Sequence, residues 1–377
     1  MTVAGLIFSN IHDAALPELT ARRTLGSLPF GCRYRLIDFP LSNMVNSGIT
    51  KVGVIAHNNY QSLMDHIGTG KDWDLARRSG GIKILPPFIT AFDHTGGGAL
   101  YATRLEAVLG VTNFISRCTE DTIVLSDCDV ICNIDLSDVL EAHDRADADL
   151  TLVTRRPVAE DLENHGRLYT ILSDGEGRVQ DVAAYSVDTR KGNVSTNIMV
   201  FKRTFLLSLL HEADSRNYRN FYRDLVTLAV KRNRVCEYLY EGYYLQITSL
   251  ESYFASSMAL LSSHAREELF GVKYRPIYTK VRNSAPTIYT NNARVKSSYI
   301  ADGCVIDGTV ENSIIFRGVK IGKGTVVRNS ILLQDTFTGE NVTLNCVITD
   351  KNAVIKDGRL LSGHTTMPFF VGKGMTV

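Results

Sequence analysis

Asp127 and Asp129 stand two residues apart at the end of an apolar stretch, within L-S-D-C-D-V-I-C-N-I-D-L. Carboxylates at a strand end are the usual means of holding Mg²⁺ against the phosphates of a substrate. The plainer role for an exposed aspartate at such a point is a cap or a solvated turn. Cys128 and Cys132 flank the same stretch. Their spacing is one residue too long for a C-x-x-C redox pair, and they read as buried structural thiols rather than metal ligands. After residue 290 the only histidine is His364. That argues against acyl transfer by the C-terminal part of the chain, which would need a general-base histidine.

The elements that must position these groups fall into two parts. With 377 residues, the chain exceeds a typical domain about two-fold, so two domains are expected, each able to bury its own core. Lys and Arg total 41 against 40 for Asp and Glu, a net charge of +1, which leaves no long-range field for nucleic acid or an anionic membrane. Any contact with a polyanion must be local. Seven cysteines without a regular framework suggest reduced thiols and a cytoplasmic setting. The start M-T-V-A-G-L-I-F-S-N lacks a basic n-region, and no apolar run approaches the ~20 residues of a membrane span.

The first two-thirds of the chain alternates short apolar strands with amphipathic helices, the pattern of an open, largely parallel sheet covered on both faces. Strands are expected at Val3 to Phe8, Lys51 to Ala56, Thr122 to Leu125, Leu150 to Thr154, Tyr169 to Leu172 and Val194 to Phe201. Helices are expected at Leu41 to Ser47, Gln61 to Ile67 and Leu250 to Leu261. Ligands of such sheets lie beyond the carboxyl ends of the strands, here Ser9 to Arg23 and Ser126 to Asp129. Residues 1–265 form this domain and 266–292 a linker with two prolines. Across 293–377 aliphatic residues recur every six positions: Ile300 and Ile306; Ile315, Ile321, Val327 and Leu333; Val342, Ile348, Val354 and Leu360. With turn residues between them, this period is the mark of a parallel β-helix.

Phe30 to Asn43 read F-G-C-R-Y-R-L-I-D-F-P-L-S-N, with W-D-L and L-P-P segments near Trp73 and Leu85. These residues resemble the ADP-glucose pyrophosphorylases, the glucose-1-phosphate adenylyltransferases, and the likeness extends over essentially the whole chain. It implies a Rossmann-like nucleotidyltransferase (GT-A-like) mixed sheet, an α/β domain, followed by a left-handed parallel β-helix of hexapeptide repeats. In that family the first strand runs into G-G-x-G-x-R-L, and an ungapped alignment puts this loop on Asn10 to Leu16, where only the leucine matches. The three glycines fall on Asn10, Ile11 and Asp13, the arginine on Ala15, and a following lysine on Leu25. Glycines let backbone N–H groups approach a phosphate, so Asp13 there would repel it and Leu25 is expected to pack.

The resemblance further implies that the family's first metal-binding aspartate is Asp129 and that its second is replaced by Gln246. Its sugar-phosphate lysine falls on Tyr185, beside Ala184. No metal site is assigned, Asp129 being the one such ligand left, with Asp127 as an alternative. Basic positions that bind the family's anionic effectors match Arg22, Arg23, Arg35, His66 and Lys351. Arginine suits bidentate phosphate contact, although each of these could equally pair with a carboxylate, and a lone helix histidine such as His66 is commonly structural.

The pattern is that of the family's regulatory GlgD-type branch: a chain nearly inactive alone that joins a catalytic paralogue in a hetero-oligomer, with a homotetramer the alternative in its absence. It would respond to phosphate or a phosphorylated metabolite. It would need no cofactor of its own, Mg²⁺ belonging to the catalytic partner. The alternatives are an active sugar-1-phosphate nucleotidyltransferase with an atypical phosphate loop, and a stand-alone metabolite-sensing oligomer.

Overall fold

A computed structural model describes residues 1–86, 101, 103–159, 161, 168–184 and 192–377. The chain divides into two compact units: Met1–Ile11, Pro40–Asn58 and Gly68–Gly242 in the first, His12–Phe39, Asn59–Ile67 and Tyr243–Val377 in the second. Among the described residues no helix is long and apolar enough to cross a membrane.

The first unit is built on a mixed sheet. Val3–Phe8 lies at its centre, parallel to Lys51–Ile55 on one side and to Thr122–Asp127 on the other, and Gly81–Leu85 extends the parallel part. The sequence V-A-G-L-I-F is apolar at consecutive positions because both faces of a central parallel strand are covered. Gly5 leaves room there for the end of the Met44 side chain of the helix Asp38–Asn46, which a Cβ would force to shift. Asn193–Lys202 runs antiparallel to Thr122–Asp127, Leu150–Arg155 and Tyr169–Ser173. This turns the expected largely parallel sheet into the mixed one that the resemblance implied. Between Ser195 and Met199 the pairing slips, with Asn197 at φ 63°.

In the second unit three five-stranded parallel sheets stack coil on coil as a β-helix. Left-handed backbone at the corners falls on residues that tolerate it, such as Asn312 at φ 45° and Asn329 at 46°. Their side chains form a ladder, Asn312 Nδ2 donating to Asn329 Oδ1 at 2.7 Å and Asn329 Nδ2 to Asn345 Oδ1 at 2.9 Å.

The inward columns correct the six-residue lattice. Ile321 pairs with Thr338 and Thr338 with Ile355; Val310, Val327, Leu344 and Leu361 form a second column; Ile300, Ile315, Leu332 and Thr349 a third. The steps along the chain are two of six and one of five, so most coils close in seventeen residues and the strict period drifts by one place per turn. Leu360, expected inside, is 72% exposed, and Ile355 replaces Val354 in the core. Leu344→Ala should cost about 2–5 kcal/mol, and Leu360→Ala no more than about 0.5 kcal/mol. Thermal unfolding of both variants checks the register, and a larger loss at Leu360 would restore the six-residue lattice.

Candidate functional site

Two places in the chain bear on chemistry: the segment where a nucleotide loop is expected, and a basic cleft in the second unit. After Val3–Phe8, Ser9 donates through both its N–H and its hydroxyl to the Ile55 carbonyl, at 3.1 and 2.8 Å. Asn10 is buried and Ile11 packs on the first unit's core. His12 opens the second unit, where Asp13–Ala15 make one 3₁₀ turn. The Ala15 N–H donates to the His12 carbonyl and the Leu16 N–H to that of Asp13. These amides are spent on the turn and are not splayed toward a phosphate.

The Asp13 carboxylate accepts the Leu25 N–H at 2.7 Å, while the Thr20 hydroxyl donates to the Asp13 and Leu16 carbonyls at 2.7 and 2.6 Å. Burial pushes the Asp13 carboxyl up to about 7, against the pull of the Leu25 N–H and of His12. Asp13 therefore ties the turn to Leu25, which packs as expected, 1% exposed. Ala15 is half-buried. Gln246 ends the short strand Tyr244–Gln246 of the second unit and is half-buried. Tyr185 lies outside the described residues, as does Pro87 of the L-P-P segment.

Asp127 and Asp129 belong to the first unit, and both are buried. The expectation of a solvated strand-end carboxylate fails at Asp127, because the Arg104 guanidinium is ion-paired with it. Cys128 and Cys132 are buried, and the Asn43 amide donates to the Cys132 carbonyl at 3.0 Å.

The second unit gathers the basic residues. Pro29–Phe30 and Tyr34–Arg35 form a small antiparallel hairpin, whose turn needs left-handed backbone at Gly31 (φ 54°) and Cys32 (φ 68°). The hairpin aims Arg35 inward, where its Nη1 donates to the Ser62 carbonyl and hydroxyl. Fully buried Asp38 accepts the Arg35 backbone N–H at 2.9 Å and meets His66 Nε2 at 2.6 Å. Burial lowers the His66 pKa, outweighing the neighbouring Asp38 carboxylate, so the neutral ring serves to brace Asp38. Arg23 Nη2 donates to both carboxylate oxygens of Asp350, each at 2.6 Å. Arg22 is exposed and lies off the cleft.

Arg35, His66 and Lys351 line one shallow, solvent-open cleft. Four basic side chains that the sequence reading missed line it too: Arg33, Lys280, Arg282 and Arg317. A local signal existed for two pairs, since Arg33 alternates with Arg35 and Lys280 with Arg282. Among the described residues the cleft wall has six lysines and arginines and no carboxylate. Asp302 does hold Arg317 from the side, at 2.9 Å. Burial holds Arg35 down to about 10, with Arg282 and Arg23 adding to the effect and Asp38 opposing it. Burial pushes the Lys351 ammonium down to about 7; Arg35, Arg23 and Arg282 push the same way, against Asp350. A set of cations destabilised by one another is built to receive an anion.

Residues 15–263 match the nucleotidyl transferase family, and residues 285–364 match the GlmU-like C-terminal hexapeptide family. The glycogen biosynthesis protein GlgD of Bacillus subtilis is 33% identical over 373 residues, 98% of this chain and 96% of that protein. The glucose-1-phosphate adenylyltransferase of Desulforamulus reducens is 31% identical over 94% of this chain and 87% of its own length. This chain belongs to the glucose-1-phosphate adenylyltransferase family. Its resemblance to the GlgD-type branch is correspondingly shown. A further adenylyltransferase, from Fervidobacterium nodosum, is 30% identical over 96% of the chain and 86% of that enzyme.

For this family member the charge state of Lys351 sets a pH dependence. The unfolded chain holds the Lys351 proton up to about pH 10.5 and the folded one only to about 7. Folding thus releases a proton in that window, and this group's contribution to stability improves as pH rises through it. An anion prefers the protonated amine, so phosphate affinity should fall by up to about tenfold per pH unit above pH 7, with proton uptake on binding. Calorimetric titration with inorganic phosphate in buffers of different ionisation heat measures both effects. Lys351→Met should flatten the dependence.

Proposed function

We propose that this chain is a non-catalytic regulatory subunit of glucose-1-phosphate adenylyltransferase. It would tune the formation of ADP-glucose and diphosphate from ATP and glucose 1-phosphate for glycogen synthesis. The observation that carries the reading is the cleft wall of Arg33, Arg35, Lys280, Arg282, Arg317 and Lys351, free of carboxylates among the described residues. In addition, the segment aligned with the nucleotide loop has Asn10, Ile11 and Asp13 in place of the family's glycines, and its Ala15 and Leu16 amides are committed to its own turn. A surface that attracts phosphate without a cradle for transferring it suits a sensor better than a catalyst. The GlgD relative, named for glycogen biosynthesis, and the adenylyltransferase relatives support the pathway assignment.

The partner in this reading is a catalytic paralogue of the same fold in a cytoplasmic hetero-oligomer, a tetramer, and Mg²⁺ is held by that partner. The cleft ligand is phosphate or a phosphorylated metabolite: fixed guanidinium forks match its oxygens, and the crowded ammonium of Lys351 gains when a negative charge arrives.

The purified chain, given ATP, Mg²⁺ and glucose 1-phosphate, should form no ADP-glucose, and it should change the rate or effector response of the catalytic paralogue when the two are mixed. Removing one cation, by Arg35→Ala or Lys351→Met, should weaken phosphate binding roughly ten- to a hundred-fold and blunt the effector response of the mixture. Turnover by the chain alone would overturn the non-catalytic reading. An effector response untouched by both substitutions would remove the cleft from it.

A further inference from the structure

Asp127 closes the parallel strand Thr122–Asp127, at the end of the sheet where ligands of such folds sit. The family resemblance implies a divalent cation for the reaction, and a strand-end carboxylate is a natural ligand for one. The resemblance puts the family's ligand at Asp129, and the Asp127 and Asp129 carboxylates come within 4.8 Å of each other, but Asp127 already carries a cation of the protein's own. Arg104 pairs through Nη2 with the Asp127 carboxylate, the two side chains being 9% and 0% exposed. The Phe8, Phe221 and Tyr222 ring centres stand 5.1, 5.8 and 5.9 Å from the guanidinium carbon. These rings hold the cation by its charge and keep water from it.

Backbone geometry fixes Arg104 in this place. It is the first residue of the helix Arg104–Leu109, and Thr103 caps that helix. The Thr103 hydroxyl accepts the Glu106 N–H at 3.2 Å, and the Glu106 carboxylate accepts the Thr103 N–H at 3.1 Å. Both halves of a capping box are thus made, which fixes the backbone from which the Arg104 side chain extends to the strand end.

Mg²⁺ requires a near-octahedral set of oxygens and keeps several of its waters. To bind at Asp127 it would have to evict the guanidinium, stranding a buried arginine, or share the carboxylate with a positive charge already in contact. We propose that Arg104 is a resident cation standing in for the divalent ion at Asp127, so that this chain excludes the metal implied for its relatives. The inference is separable from the regulatory reading: a chain that excludes metal need not regulate a partner, and a regulatory chain could still bind metal.

Mn²⁺ binding to the full chain, followed by electron paramagnetic resonance of the unbound ion, tests this with wild type, Arg104→Gln and the double variant Arg104→Gln/Asp127→Asn. Wild type should show no stoichiometric Mn²⁺ site. Arg104→Gln should bind Mn²⁺ at least about tenfold more tightly than wild type, as expected when a buried competing charge is removed, and the double variant should lose that gain. A stoichiometric Mn²⁺ site in wild type overturns the proposal, whether or not Arg104→Gln folds. So does an Arg104→Gln chain with wild-type circular dichroism and no gain in Mn²⁺ binding. Because the readout is metal retention, a failure here leaves the assays of ADP-glucose formation to judge the regulatory reading by themselves.

Discussion

The second unit depends on the ion pair of Arg23 and Asp350, in which one guanidinium nitrogen meets both carboxylate oxygens; the side chains are each 3% exposed and 327 residues apart in sequence. Removing either partner of a pair this buried costs about 3–5 kcal/mol, because the survivor is left charged and dry. Its value lies less in net stability than in placement. Asp350 also accepts the Lys351 N–H at 2.7 Å, which shapes the turn that continues through Asn352 at φ 59°. The pair thereby fixes the N-terminal segment on the β-helix and delivers Lys351 into the field of Arg35, Arg23 and Arg282. Further ties hold the same segment: the Tyr253 hydroxyl donates to the Pro29 carbonyl at 2.8 Å, and the Tyr34 and Phe270 rings stack at 4.7 Å.

A frame this rigid lets like charges accumulate. Cations in the cleft repel one another, and a flexible surface would relieve that by swinging the side chains into water. Here Arg35 is anchored on Ser62, its backbone on Asp38, and Asp38 in turn on His66. Restraint of the scaffold keeps the positive potential in place. The N-terminal turn follows the opposite logic. Every described tie of Asp13, Ala15 and Thr20 is directed within the segment, so the Ala15 and Leu16 amides serve the turn rather than a phosphate.

Much of this was legible in order along the chain. The run Phe30 to Asn43 is dense in buried side chains, Phe30, Leu36, Ile37, Phe39 and Leu41 all being inaccessible, so its apolar pattern announces a packed segment. Asp38 is the polar hub within it. The six-residue repeat correctly indicated a β-helix but not its register. One five-residue step per turn moves each later column by a single place, and a single place exchanges Leu360 for Leu361. The strands of the first unit were readable because each is a short apolar run bounded by turns. Burial of Asp127 was not, since an aspartate at a strand end looks solvated until a counter-charge is found.

The sequence alone determined the properties that depend on neighbours in the chain: strand and helix positions, the repeat, the family signature, and the residue types standing where a phosphate loop would be. Only the tertiary structure decided which charges meet. Arg104 on Asp127, Arg23 on Asp350, and Lys280, Arg282 and Arg317 beside Arg35 are encounters between segments far apart in the chain. Coulomb energy and desolvation depend on separation in space and on burial, and neither quantity is written in the order of the residues.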